Sequence, residues 1–312
     1  MQSIKAILRL SRLPNLVIIA MVLYLQRFCI VIPFLKLAGM NLTWTGYNLI
    51  VFGTVFIAAA GYLVNDYFDA DIDSVNIPGK AIVVQSISPN TIIKAYAVAT
   101  LAGLASIAVA CNVLGVYPLW YIYLLAAMVL FWYSYHLKKV IILGNLAVAM
   151  ASAFTMPAAW LYDWLVLSGG HAINADINAV FYGISLRVTI FTLFAFLTSF
   201  GREIIKDIED MDGDSRFGCR SLPVVHGVTA AKNVIAGCFA LILILLFKWQ
   251  YELFLNGRLA IALYLAIAVD LPLIWLTAFV FRMRGKAEVH RAGLVTKLIM
   301  VTGILSMLLF LI

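Results

Sequence analysis

Long apolar runs, each closed by a few polar or charged positions, repeat along the whole chain. They fall at 14–34, 46–64, 91–111, 117–135, 140–161, 184–200, 229–247, 259–281 and 293–312. A helix needs about 17–25 mostly apolar residues to cross a bilayer, so each run predicts one span. The chain therefore reads as an all-α membrane bundle of about nine transmembrane helices. The run at 140–161 is interrupted by Asn145 and Pro157, which a spanning helix admits only where neighbours satisfy the freed polar groups.

Composition agrees with that pattern. Hydrophobic residues make up 64% of the chain, charged residues 12%, and the mean hydropathy is +1.02, whereas soluble domains carry about a quarter charged residues. A single membrane domain over 1–312 is expected, with no soluble domain, low-complexity segment or long linker. The first run outlasts a signal-peptide core and no small-residue cleavage site follows it, so this helix is expected to be retained. The net charge of +7 is spread between the apolar runs, which favours membrane lipid and phosphate over nucleic acid as partners.

Charge also predicts orientation. With the N-terminus in the cytoplasm, seventeen of the 22 Lys and Arg residues lie on the cytoplasmic side. Arg27, Lys36, Arg187, Lys248 and Arg258 are assigned to the other. Cytoplasmic connections carry the Lys and Arg excess, so a cytoplasmic N-terminus is expected, in a cell membrane. The connection 162–183 holds Asp163, Gly169, Gly170 and Asp176 but no Lys or Arg, and reads as a translocated polar loop. Cys29, Cys111, Cys219 and Cys238 are far apart without metal-ligand spacing, and read as packing residues.

The chemistry concentrates in two acidic segments. Asp66, Asp69 and Asp73 follow the second apolar run, and Asp207, Asp210 and Asp214 follow the sixth, both as D-x-x-D-x-x-x-D. On a continuous helix these positions fall within about a 60° arc, so each triplet makes one carboxylate stripe. Asp71 and Asp212 fall off the stripes and are expected to face solvent or support the ligands. A lone acidic cluster is usually a solvated loop; two with the same spacing, on the same predicted face, argue for compensating cations, two of which could be held around one diphosphate. Mg²⁺ fits, because it takes oxygen ligands and is commonly held by one or two carboxylates plus substrate phosphates.

Arg12, Asn15, Lys138, Lys139, Arg202, Lys206, Arg216 and Arg220 lie on the same predicted face. They are candidates for phosphate oxygens, beside the simpler account of positive-inside bias. Arg202 and Lys206 share a helical segment with the second stripe, while Arg216 reads as a loop charge. Tyr133 and Tyr135 fit either a substrate cavity or an interfacial aromatic belt, and His136 an interfacial side chain. Glu203, one turn before Asp207, is placed to pair with Arg202 or Lys206 or to act near an acceptor.

The chain resembles the UbiA superfamily of intramembrane prenyltransferases over nearly its whole length. The resemblance is carried by NDYFDADID at 65–73, REIIKDIEDMDGD at 202–214 with GCRSLPVVHG after it, RLPN at 12–15 and YSYHLK at 133–138. It implies nine helices around a cavity capped on the cytoplasmic side. It further implies that Asn65, Asp66, Asp69, Asp73, Asp207, Asp210 and Asp214 bind a Mg²⁺-diphosphate, with Arg12, Asn15, Tyr133, Tyr135 and Lys138 lining the cavity. The second motif is most similar to that of the digeranylgeranylglyceryl phosphate synthases. That implies a polyprenyl diphosphate donor and a hydrophobic or lipid acceptor, and no obligate protein partner is expected. Where members commonly continue the first motif with an Arg-Pro-rich stretch ending in Ser-Gly, this chain has Asn76-Ile77-Pro78-Gly79-Lys80.

Other readings have weaker support. An aromatic prenyltransferase of quinone biosynthesis shares the same motifs. A CDP-alcohol phosphotransferase would need a D-G-x-x-A-R motif that the chain lacks. A cation-coupled transporter would place its carboxylates near the bilayer midplane, away from the surface.

Overall fold

Backbone N–H and C=O groups in lipid are satisfied most simply within their own helix, and every regular element among the described residues is helical. The structure is a computed structural model and describes residues 2–37, 39–40, 42–76, 79, 84, 86–170 and 175–311. The stretch that departs from the family pattern after Asn76 lies largely outside these. In chain order, α1 is Gln2–Leu10 and α2 Leu13–Leu25, which runs through a π-helical turn, Gln26–Val31, into α3, Ile32–Leu37. Next come α4 (Trp44–Phe68), α5 (Ala70–Asn76), α6 (Pro89–Leu114), α7 (Pro118–Tyr135), α8 (Leu143–Ala153) and α9 (Thr155–Gly170). Then follow α10 (Ala175–Glu209), α11 (Met211–Arg216), α12 (Leu222–Leu255) and α13 (Leu259–Leu265). After a second π-helical turn, Ala266–Asp270, α14 is Leu271–Arg282 and α15 Lys286–Leu305.

Eight of these helical stretches are long and apolar enough to cross a membrane among the described residues. The run at 140–161 is instead divided between α8 and α9 at Phe154. Pro157 explains the break: it has no N–H for the Ala153 carbonyl and its ring crowds that oxygen. Elsewhere proline is accommodated, standing in the first turn of α2, α6, α7 and α12, where the missing N–H would have no helical partner.

The chain forms two units. The first comprises Met1–Leu137 and Phe154–Thr189. Its core gathers Leu23, Tyr47, Ile50, Ile107, Leu119 and Ala159. Here α4 and α6 approach closely because Gly53 and Gly103 face each other: a Cβ on Gly103 would lie 3.0 Å from the Gly53 carbonyl oxygen.

This unit also corrects the expectation of a polar loop over 162–183, since α9 stays helical to Gly170 and α10 starts at Ala175. Asp163 is buried on α9 and accepts from Arg27 Nη2 at 3.0 Å, and both residues are 1% exposed. Arg27 is thus inside a span rather than in a connection. It also donates to the Thr43 carbonyl, and its guanidinium lies 4.1 Å from the Tyr47 ring centroid. A charge inside a span is tolerated only with such a partner.

The second unit comprises Lys138–Ala153 and Ile190–Ile312. The later part of α10 packs with α12, α14 and α15 around Ile204, Ile235, Phe239, Leu273, Val280 and Ile299. Gly227, at φ 83, interrupts α12 after its first turns. The four cysteines are free; Cys29, Cys111 and Cys219 are buried and Cys238 half-buried, in keeping with packing roles.

Candidate active site

The first acidic motif lies where α4 ends. Asp66, in the last turn of α4, is 1% exposed and receives Arg12 Nη2 at 3.0 Å. Arg12 comes from the junction of α1 and α2, where its backbone is left-handed at φ 53. Its guanidinium also lies 4.9 Å from the centroid of the Tyr62 ring, and Asn15 Nδ2 reaches Tyr62 Oη at 3.4 Å. Tyr62 is one turn before Asp66 and was not legible as a site residue. Asn65 is buried, donates from Nδ2 to Asp69 Oδ2 at 2.7 Å, and keeps a buried Oδ1 with no hydrogen-bond partner among the described residues.

Each acidic stripe requires one unbroken helix, and both motifs depart from that at the same place. Asp69 ends α4 at φ −90, ψ −1, and α5 carries Asp73. Asp210 separates α10 from α11 at φ −94, ψ 2, and α11 carries Asp214. Each central aspartate sits in the sparsely populated bridge region between helix and strand conformations. The hydrogen bonds of Asp69 N–H to Asn65 O and Asp73 N–H to Asp69 O persist, as do those of Asp210 to Lys206 and Asp214 to Asp210. The motif is a helix interrupted at one residue, and the interruption is repeated. Asp71 and Asp212 are exposed, as their off-stripe positions predict.

In the second motif, Asp207 accepts from Asn145 Nδ2 at 2.8 Å. Asn145 is buried on α8, whereas in the sequence it stands out only as a polar interruption of a span. Lys206 Nζ stands 3.9 Å from Asp210 Oδ2. Arg202 pairs with Glu203 at 2.8 Å, one of the roles anticipated for Glu203, and its buried Nε has no partner among the described residues. Lys286 pairs with Asp212 at 2.6 Å and holds that carboxyl below the usual carboxylate range, and His290 meets Glu209 at 2.9 Å. These two contacts tie the motif's exposed flank to the start of α15.

The remaining expected residues are placed as follows. Tyr135 is exposed at the end of α7, its ring 5.5 Å from Phe68 of the first motif and stacked on Phe131 at 6.3 Å. Tyr133 is half-buried on the same helix, and Lys138 is half-buried in the 3₁₀ turn Leu137–Lys139. Lys139, Arg216, Arg220 and His136 are exposed; the backbone carbonyl of Lys139 accepts from Arg220 N–H at 3.1 Å.

Among the described residues, no three His, Cys, Asp or Glu side chains converge into a ready metal cage. The donor set nevertheless suits Mg²⁺, which takes oxygen ligands and leaves several positions to water and phosphate. The buried Asn65 Oδ1 beside Asp66 is an acceptor awaiting such a partner, and Arg202 Nε is a donor suited to a phosphate oxygen.

A membrane-embedded all-α chain with two interrupted acidic helices, each flanked by cations, has the parts of an enzyme acting on a diphosphate at the bilayer. The chain belongs to the UbiA prenyltransferase family, whose model matches residues 28–302, and it is a prenyltransferase and an integral membrane protein. A digeranylgeranylglyceryl phosphate synthase from Hyperthermus butylicus is 29% identical over 297 residues, spanning 94% of this chain and 91% of that one. The fold is similar to that of an apo UbiA homologue from Aeropyrum pernix K1, with TM-score 0.65 and 19% identity over 93% of this chain and 98% of that one. It is also similar to a UbiA homologue from Archaeoglobus fulgidus bound to GPP and Mg²⁺, with TM-score 0.54 and 18% identity over 97% and 99% of the two chains.

Proposed function

We propose that the chain transfers a geranylgeranyl group from its diphosphate to the hydroxyl of geranylgeranylglyceryl phosphate, forming an ether lipid. The observation that carries this reading is the repeated motif: a first aspartate contacted by a side chain from a distant segment, and a central aspartate at a helix break. The activity named for the Hyperthermus butylicus relative, similar across nearly the whole chain, supports this acceptor. The GPP and Mg²⁺ bound by the Archaeoglobus fulgidus homologue support the donor and the metal.

Asp66, Asp69 and Asp73 with Asn65, and Asp207, Asp210 and Asp214, would hold Mg²⁺. That ion, when bound, neutralises charge developing on a departing diphosphate. Arg12, Lys138, Arg202 and Lys206 would add cationic donors to the remaining phosphate oxygens. Cleavage of the allylic C–O bond leaves the electron pair on the diphosphate and a carbocation on the prenyl chain. The acceptor oxygen then forms the new C–O bond and gives up its proton. Asn15, Tyr133 and Tyr135 would line the path of these reactants, and an apolar surround keeps water from capturing the cation.

The Lys and Arg distribution supports a cytoplasmic N-terminus and an active site facing the cytoplasm, in a protein that we place in the cell membrane. The family match across 28–302 spans both units and supports their working as one domain. The acceptor is tested by offering purified protein and radiolabelled geranylgeranyl diphosphate a choice of geranylgeranylglyceryl phosphate, 4-hydroxybenzoate and a dihydroxynaphthoate. Label in the glycerol phosphate lipid is the expected result. Label in an aromatic acid instead would move the protein to quinone biosynthesis.

A further inference from the structure

The chain holds one short arrangement twice. In Arg12-Leu13-Pro14-Asn15 and in Ile142-Leu143-Gly144-Asn145, Leu follows the first residue and Asn stands three places on. Both first residues adopt left-handed backbone, Arg12 at φ 53 and Ile142 at φ 65, and they are the two non-glycine residues that do so among those described. Positive φ is unfavourable for a side-chain-bearing residue, most of all a β-branched one such as Ile142, and persists where the surroundings impose it. A helix starts immediately after each, the left-handed carbonyl accepting from Leu16 N–H at 3.3 Å in one and Leu146 N–H at 2.9 Å in the other.

Each of these helix starts delivers a donor to the first aspartate of the acidic motif in its own unit. Arg12 Nη2 meets Asp66 Oδ1 at 3.0 Å, and Asn145 Nδ2 meets Asp207 Oδ2 at 2.8 Å. The correspondence continues along the motifs: Asn65 reaches Asp69 four residues on, as Lys206 reaches Asp210. The two donors differ in charge. Arg12 brings a cation to Asp66, whereas the Asn145 amide is neutral and orients Asp207 through a hydrogen bond.

We infer that Asn145 is a positioning residue for the reaction, fixing Oδ2 of Asp207 so that Oδ1, which bonds no described residue, is presented in one direction to a divalent cation. Groups that hold a ligating carboxylate from behind set its orientation and with it the affinity of the site. This inference rests on the reading of the motifs as a Mg²⁺-diphosphate site.

The test uses full-length protein in lipid nanodiscs, as wild type and as Asn145→Leu and Asn145→Ala, with inorganic diphosphate present. Mn²⁺ binding is measured by electron paramagnetic resonance, and unfolding temperature without metal is measured on the same samples. The expected result is Mn²⁺ affinity about 10–100-fold weaker in both variants, with folded fractions equal to wild type and a matching rise in the Mg²⁺ needed for half-maximal transfer. Should the leucine variant not fold, the alanine variant, which only removes the amide, carries the same expectation. Affinity within twofold of wild type in a folded variant overturns the inference, as does a loss explained wholly by the unfolded fraction. A wild type that binds no Mn²⁺ with diphosphate removes the site reading itself, and the inference with it.

Discussion

Asp66 and Arg12 form one contact with a structural role and a proposed chemical one. The carboxylate is 1% exposed while the guanidinium side chain is 32% exposed, so Arg12→Ala removes a cation that a buried carboxylate contacts. Breaking a fully buried pair costs about 3–5 kcal/mol; screening on the exposed Arg12 side lowers the expected cost to about 1–2 kcal/mol. Thermal unfolding of the purified variant measures it, and an unchanged midpoint would show that Asp66 needs no cation. Asp66→Ala and Asp207→Ala should each slow transfer by about 10²-fold or more, since each removes stabilisation of developing charge. Initial rates at saturating donor measure this. The six aspartates were legible because their spacing is local and repeated. Tyr62 and Asn145 were not, because their roles follow from contacts 47 and 62 residues away in the chain.

Elements show where periodicity carries information and where it stops. Apolar runs located the spans, and proline at helix starts agrees with their boundaries. Periodicity assumed continuous helices, however, and so missed the breaks at Asp69, Asp210 and Phe154. Only the last had a visible cause, in Pro157. Polar residues likewise misled over 162–170, because Asp163 becomes a core residue once Arg27, 136 positions earlier, is beside it. Arg27→Met should destabilise the protein by about 3–5 kcal/mol, and adding Asp163→Leu should recover much of that loss; equal midpoints for single and double variants would refute this. The contact of α4 with α6 is set by backbone approach. Gly103→Leu would press its Cβ within 3.0 Å of the Gly53 carbonyl and 2.8 Å of the Ile57 side chain. Overpacking of this kind costs about 1–3 kcal/mol, read as a lowered unfolding temperature.

At the scale of the whole molecule, the repeated apolar runs and the composition together point to a polytopic helical membrane protein, and charge placement predicts an orientation. That orientation is open to a direct check in a cysteine-free background. Cysteine at Asn256, between α12 and α13, should react with an impermeant maleimide added outside intact cells, whereas cysteine at Arg284, between α14 and α15, should react only after permeabilisation. The reverse pattern would place the acidic motifs outside. What neither composition nor charge could convey is how each acidic helix is held, which depends on side chains from distant segments. The most direct test of the central claim is transfer of radiolabelled geranylgeranyl from its diphosphate to geranylgeranylglyceryl phosphate by the purified protein, assayed with Mg²⁺ and with excess chelator. The account predicts a diether product with Mg²⁺ that chelator abolishes and that neither Asp66→Ala nor Asp207→Ala makes at a comparable rate. Product formation undiminished by chelator and by both substitutions would contradict it.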